Sequence, residues 1–371
     1  MNARVLHIAA PLTTRSGVHN SLREAVLEAR SQQLDWHGLL GMRTTSTTAM
    51  LGTHDSLTEF TVTGDSTRSR LHEVGRVVDD HIERVQPDVL ISWLPQTDVV
   101  LARQARRRSI PWVAYLRAQP WPSADEVGRM RSAMWKMPEL LALSRADAIW
   151  ASTKVLSSVL PFPFRAKVVA PGLRAPSDAG RERHGENVVW AGRYEIDKDP
   201  FLFLEIMRRM PQARGVMFGH GPLEAELRRS APSNTTVFGW ATPEETRARA
   251  VVVVCTSRRE GFGRTAVEAC MVGLPVVIGA GFGAEPLLFT DDKMRALSVV
   301  PSSDPEEWAS AVMRLLEEPS LRRQLADHVK ANSSGLLIEA AVSRISEELT
   351  GVVAKSPSSG HGRGRGWDAV R

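Results

Sequence analysis

Short apolar runs alternate with amphipathic ones along this chain, and the alternation starts twice. In the first half, strand-like runs lie at Arg4 to Ala9, Gly38 to Met42, Phe60 to Thr63, Val89 to Trp93, Trp112 to Leu116, Ala148 to Ala151 and Lys167 to Ala170. Runs with helical spacing separate several of them, at Val18 to Gln33, Arg68 to Val85 and Val99 to Arg108. Short apolar strands joined through helices predict a parallel, doubly wound sheet. A polar break rich in Pro, Gly, Ser and charge, residues 174–186, then reads as a linker. Beyond it, strands are expected at Val188 to Ala191, Gly215 to Phe218, Thr236 to Phe238, Val251 to Cys255, Val276 to Ile278 and Leu297 to Val300. Helical pattern dominates from Pro305 to Leu349. The expected architecture is α/β, with Rossmann-like domains at 1–173 and 187–335, a helix at 336–350 and a disordered basic tail at 351–371.

Sheets of this kind bind ligands beyond the carboxyl ends of their strands, and three polar motifs fall there. Ala191-Gly192-Arg193, with Lys198 shortly after, follows one strand. Gly219-His220-Gly221-Pro222 follows the next. Glu260-Gly261-Phe262-Gly263-Arg264-Thr265, with Glu268 further on, follows the run ending at Cys255. A guanidinium grips phosphate oxygens in bidentate fashion, and an ammonium adds a mobile point charge. Glycines admit a ligand close to the backbone, and amides at a helix start suit phosphate. Glu260 in the loop and Glu268 about two helical turns in can accept hydrogen bonds from sugar hydroxyls. The set reads as a site for a sugar carried on a diphosphate.

Plainer readings compete with this one. Arg193 and Lys198 taken alone would be solvated surface cations. Glu260 and Glu268 would serve as a glycosidase pair if their carboxyls stood ~5–10 Å apart across a glycosidic bond. Gly219 to Pro222 is accounted for by a tight turn with Pro at the first helical position. Trp240 reads either as an apolar wall for a base or as a core residue. Asp197-Lys198-Asp199 has the Asp-x-Asp form of some metal sites, but Asp199 before Pro200 reads better as a helix start. No metal and no cofactor is expected, the nucleotide sugar being substrate.

Taken in this order, the motifs resemble those of the family 4 retaining glycosyltransferases, whose signature is Glu-x7-Glu, here Glu260 and Glu268. Gly273-Leu-Pro-Val-Val resembles the strand that follows that signature. The resemblance spans Val5 to about Leu349 and is sharper in the second half. It implies the GT-B fold, two Rossmann-like domains facing across a cleft, with a C-terminal helix (Leu336 to Leu349) crossing back to the first. It implies transfer, with retention, from a nucleotide-diphosphate sugar to a hydroxyl of a polysaccharide, lipid or small natural product; the lack of any other metal-like pattern in the sequence makes metal-independent chemistry the expectation. Arg193, Lys198 and Glu260 are implied at the reacting centre. Gly17, Gly192, Gly261, Phe262, Gly263, Arg264, Thr265 and Glu268 are implied around the donor, with Glu260 on the sugar and Glu268 on the ribose.

The chain departs from the family in three places. The loop Thr14-Arg15-Ser16-Gly17-Val18 has Ser16 where a glycine pair is usual. Arg117, ending the run from Pro111, stands where a sugar-contacting His is common, which points to an anionic group on donor or acceptor. Arg264 stands where a small apolar residue often follows Gly-Phe-Gly. Three rival readings remain: a sugar-nucleotide epimerase, a non-catalytic sugar-nucleotide-binding scaffold, and a nucleic-acid-modifying transferase.

Composition sets the outer bounds. An apolar fraction of 43% with 24% charged residues is that of a soluble globular protein. No apolar run approaches the ~20 residues of a membrane helix. Met1 to Pro11 lacks the layout of a signal peptide, so a cytoplasmic enzyme is expected. Cys255 and Cys270 sit among apolar residues and read as buried, reduced thiols. Of the net charge of +5, the tail from Lys355 carries +3, leaving the rest mildly basic. Such a tail suits an anionic membrane or nucleic acid as partner, against the plainer reading of a solvated tail. Oligomeric state is not readable from the sequence.

Overall fold

The computed structural model describes residues 3–13, 17–43, 55–121, 128–178 and 185–354. Thr14 to Ser16 and the basic tail from Lys355 lie outside these residues, as do positions 179–184 of the expected linker. The chain divides into two compact units. The first comprises residues up to Ala151, Leu160–Val169 and the chain from Ala341. The second comprises Ser152–Val159 and Ala170–Ala340. The expected division, 1–173 and 187–335 with a separate C-terminal helix, is cut differently here: Ser152–Val159 joins the second unit and the chain from Ala341 joins the first, so the units interleave.

The first unit holds β1 (Val5–Leu12), β2 (Trp36–Arg43), β3 (Leu57–Val62), β4 (Val89–Ser92), β5 (Trp112–Leu116), β6 (Ala148–Ala151) and β7 (Lys167–Val168). They pair in the order β3-β2-β1-β4-β5-β6-β7, all parallel. Every residue of β4 and β5 is buried, as strands covered on both faces require. The second unit holds β8 (Asn187–Ala191), β9 (Gly215–Phe218), β10 (Thr235–Val237), β11 (Ala250–Cys255), β12 (Val276–Gly279) and β13 (Val299–Val300). Their order is β10-β9-β8-β11-β12-β13, again parallel. Each sheet grows outward from its first strand in both directions, so β1/β4 and β8/β11 are the points where strand order reverses.

Local chemistry explains most element ends. Ser66 and Thr153 cap their helices through side-chain oxygens, and Thr242 with Glu245 forms a reciprocal capping box. Asp291 accepts from the amides of Lys293 and Met294 and starts a helix that runs through Ser298. That helix takes Leu297 and Ser298 from the expected strand, which shrinks to β13. The helix Arg129–Leu143 has no counterpart in the sequence reading. Its apolar residues mostly face outward, and Pro138 interrupts its pattern. The last helix, Ile338–Ala354, belongs to the first unit from Ala341 on. Within that unit Lys167 Nζ of β7 donates to Glu348 Oε2 at 2.5 Å.

Two carboxyls meet in the first unit's interior: Asp98 on the helix Pro95–Arg108 and Glu139 on Arg129–Leu143. Among the described residues, neither oxygen of Glu139 has a well-aligned hydrogen-bond partner. Burial raises both carboxyls above their ordinary range, and the charge of Asp98 raises Glu139 further. Both are therefore protonated in the folded chain at pH values where the unfolded chain ionises them. The folded state then binds more protons, so stability is highest near the ordinary carboxylate range and falls as pH rises through the elevated values. Glu139→Gln, neutral at all pH, is expected to flatten that fall. Urea unfolding between about pH 5 and pH 8 measures it; equal slopes for the two proteins would contradict the assignment.

Candidate active site

The carboxyl ends of β8 and β11 lie side by side, and the chain leaves them toward opposite edges of the sheet. A ligand crevice is expected at such a reversal. The segment after β8 carries Gly192, Arg193 and Lys198, the last ending a single 3-10 turn, Ile196–Lys198. The segment after β11 carries Glu260 and Gly261 to Gly263, and Gly263 opens the helix Arg264–Met271. Lys198 Nζ donates to Glu260 Oε2 at 2.6 Å, each side chain only 19% exposed. A small cavity is lined by this pair with Gly192, Ser257, Gly263, Arg264, Thr265 and the apolar Trp190, Cys255 and Phe282. One buried hydroxyl braces it. Thr256 Oγ1 accepts from Trp190 Nε1 at 2.8 Å and lies 2.9 Å from the Lys198 carbonyl and 2.8 Å from that of Asp199.

Two glycines are required here by close approach. At Gly263, φ is +92°, and a Cβ would stand 2.0 Å from the Phe282 ring. At Gly219, a Cβ would stand 2.0 Å from the Gly192 carbonyl oxygen. The Gly219-to-Pro222 turn thus packs on the Gly192–Tyr194 segment, with Tyr194 N donating to His220 O at 3.0 Å. Its part in the site is to shape the Arg193 segment. Pro222 precedes the helix Glu224–Ser230 and does not open it, because Leu223 takes the capping position.

Arg193 stands apart from the cavity. It is about half exposed and held by Glu195 and, at 3.3 Å, by Asp197. Asp199 stands directly before the helix Pro200–Arg209, but its backbone is left-handed, with φ 45°. A capping side chain needs extended backbone, so the Asp199 carboxylate instead accepts from Arg258 Nε at 2.7 Å. No group of three or more His, Cys, Asp or Glu among the described residues is placed to hold a metal. Trp240 is 74% exposed, which excludes the core reading.

Glu268 lies between two arginines. Its Oε1 accepts from Arg264 Nη2 at 3.1 Å, and its Oε2 is 3.6 Å from Arg247 Nη1. Arg247 is buried and donates twice to Asp178, at 2.6 and 3.2 Å. Sequence reasoning missed both Arg247 and Asp178. They are 69 positions apart, Asp178 within the apparent linker, and no local pattern links them. Thr153 of the second unit donates to the Gly261 carbonyl at 2.9 Å. Both cysteines are buried and free. Burial, and then the charge of Glu260, pushes the Cys255 thiol up to about 12.

In the first unit, Gly17 opens the helix Gly17–Ser31, with nothing within 4 Å of where a Cβ would lie. Arg117 follows β5. Its guanidinium lies 4.6 Å from the Trp93 ring centroid and 5.0 Å from that of Tyr115, and Nη1 donates to the Tyr115 oxygen at 3.1 Å. Tyr115 in turn donates to the Val169 carbonyl at 2.6 Å. An aromatic row supports the pair, with centroids 5.8 Å apart for His7–Trp93, 5.3 Å for Trp93–Tyr115 and 5.9 Å for Tyr115–Trp150. Trp93 Nε1 donates to His7 Nδ1 at 3.1 Å, and burial lowers His7 to about 3. His7 is neutral, which suits an acceptor nitrogen inside an apolar row.

Two parallel α/β units with this strand order define a GT-B fold. Sucrose-phosphate synthase from Thermosynechococcus elongatus superposes with a TM-score of 0.79 at 16% identity, over 95% of this chain and 99% of that one. Anabaena HepE, solved with UDP and glucose, gives 0.71 at 17% identity, over 94% and 99%. Residues 178–332 match the family described as Glycosyl transferases group 1. The D-inositol 3-phosphate glycosyltransferase of Frankia alni is 30% identical over 47% of this chain and 50% of its own length. The α-D-kanosaminyltransferase of Streptomyces kanamyceticus is 28% identical over 40% and 42%. The chain spans about half the length of the curated relatives it matches.

Gly263→Ala is expected to cost about 1–3 kcal/mol of stability, because the methyl meets Phe282 at a left-handed position. Thermal or urea unfolding checks this. A variant as stable as the parent would mean that the loop before Arg264 repacks freely.

Proposed function

We propose that this chain is a retaining, metal-independent, cytoplasmic glycosyltransferase that moves a sugar from a nucleotide-diphosphate sugar to an acceptor hydroxyl. The observation that carries the reading is the Lys198–Glu260 pair beside the first turn of Arg264–Met271, at the strand-order reversal. The names of the Frankia and Streptomyces relatives denote sugar transfer, and HepE has been solved with UDP and with UDP-glucose. In the proposed reaction the anomeric carbon–phosphate oxygen bond breaks and a bond to the acceptor oxygen forms on the same face. The acceptor proton passes to the leaving phosphate, so no enzyme nucleophile is needed. Lys198 exchanges Glu260 for the developing phosphate charge, and Glu260 turns to a sugar hydroxyl. Arg193 reaches phosphate by leaving Glu195 and Asp197, a small cost for an exposed pairing. Arg264 adds a cation at the helix start, and Glu268 accepts from the ribose. Stabilising charge that develops only in the transition state raises turnover.

A thermal-shift panel of nucleotide diphosphates and their sugars tests the donor class, because ligands that bind the folded chain raise its melting temperature. No shift with any of them would overturn the reading. Lys198→Ala and Arg193→Ala are each expected to lower kcat by a factor corresponding to ~2–4 kcal/mol while the fold is kept. Near-native kcat in either folded variant would remove that residue from phosphate stabilisation. Arg117→Ala is expected to impair transfer while nucleotide diphosphate affinity stays close to that of the parent, because Arg117 belongs to the other unit. Initial rates and titration calorimetry separate the two effects; unchanged rate and affinity together would leave Arg117 with no part in the reaction.

A further inference from the structure

The helix Arg129–Leu143 turns its large apolar side chains to the outside. Met130 is 79% exposed, Met134 68%, Met137 65% and Leu141 58%. At about 3.6 residues per turn these four form one stripe along the helix. The opposite side, Ser132, Glu139, Ala142 and Leu143, is the buried one. Trp135, 53% exposed, lies on the flank. An exposed stripe of this size on an otherwise well-buried unit calls for an occupant.

Charge identifies that occupant. Arg131 lies to one side of the stripe, and Arg129 and Lys136 lie to the other, while the helix's single acid, Glu139, faces inward. Lys136 is half-buried with its ammonium over the Trp121 ring, so the outward surface carries two free-standing positive charges, Arg129 and Arg131, one to each side of the stripe, and no negative one. Cations flanking an apolar stripe match a layer of anionic head groups over acyl chains: the methionines and leucine enter the boundary, and the long basic side chains reach the phosphates. With 15 residues, the helix is also too short to cross the ~30 Å hydrocarbon layer, and among the described residues no helix is long and apolar enough to do so. We propose that Arg129–Leu143 docks the protein on an anionic bilayer surface, lying in the head-group plane.

The full chain should co-sediment with vesicles of phosphatidylcholine mixed with phosphatidylglycerol, bind phosphatidylcholine vesicles weakly, and release as salt rises. Met134→Asp with Met137→Asp is expected to cut binding about tenfold with the melting temperature kept, because both side chains are exposed. Failure of the parent to bind the anionic vesicles overturns the proposal. Equal binding by the double variant also overturns it, assigning the affinity to other basic surface such as the tail. A parent dimer that the double variant converts to monomer overturns it in favour of a second copy. If the double variant loses its melting transition, Arg129→Gln with Arg131→Gln decides: weaker binding upholds the proposal, and unchanged binding overturns it.

Discussion

A parallel sheet whose strand order reverses leaves two neighbouring strand ends with no connection closing over them. In the second unit that place lies between β8 and β11, and the Lys198–Glu260 pair spans it. The rest of the site is arranged to keep this pair in position. Thr256 fixes the carbonyls on either side of the Lys198–Asp199 bond, so the ammonium leaves a braced backbone. Gly219 lets the neighbouring turn press on Gly192, and Gly263 lets the Phe282 ring sit beneath the helix start. Each contact is backbone against backbone or ring against backbone, which is why an added methyl is excluded at those positions.

The two units each present a cation just beyond a strand, but they hold it by different means. Lys198 is held by a carboxylate, that of Glu260. Arg117 is held by two ring faces and a phenol oxygen. Ring faces attract a cation through the electrostatics of the π system. Glu268 shows a third arrangement. A buried arginine anchored by Asp178 and a partly exposed arginine at the helix start share its carboxylate, which limits the directions in which it can turn.

The parallel α/β plan was legible because strands buried on both faces write themselves as apolar runs, and β5 and β6 fell on the expected residues. The polar motifs were legible because each follows a strand end. The role of Asp199 was not, since a left-handed backbone before Pro200 leaves no mark in the residue types. Arg247 escaped because its partners come from distant segments. The helix Arg129–Leu143 escaped for the opposite reason. Periodicity is read on the assumption that apolar faces turn inward, and this helix reverses the assumption along most of its length.

The interleaving of the two units carries a consequence for recombination with relatives. Ser152–Val159 is encoded within the first half of the chain yet contributes Thr153 to the Gly261 carbonyl of the second unit. The final helix is encoded after the second unit yet bonds β7 of the first through Glu348. A chimera made by a single crossover near residue 173 would therefore inherit mismatched surfaces on both sides. Exchange of one unit as a working module needs the short 152–159 segment moved with the second unit, and the terminal helix retained with the first.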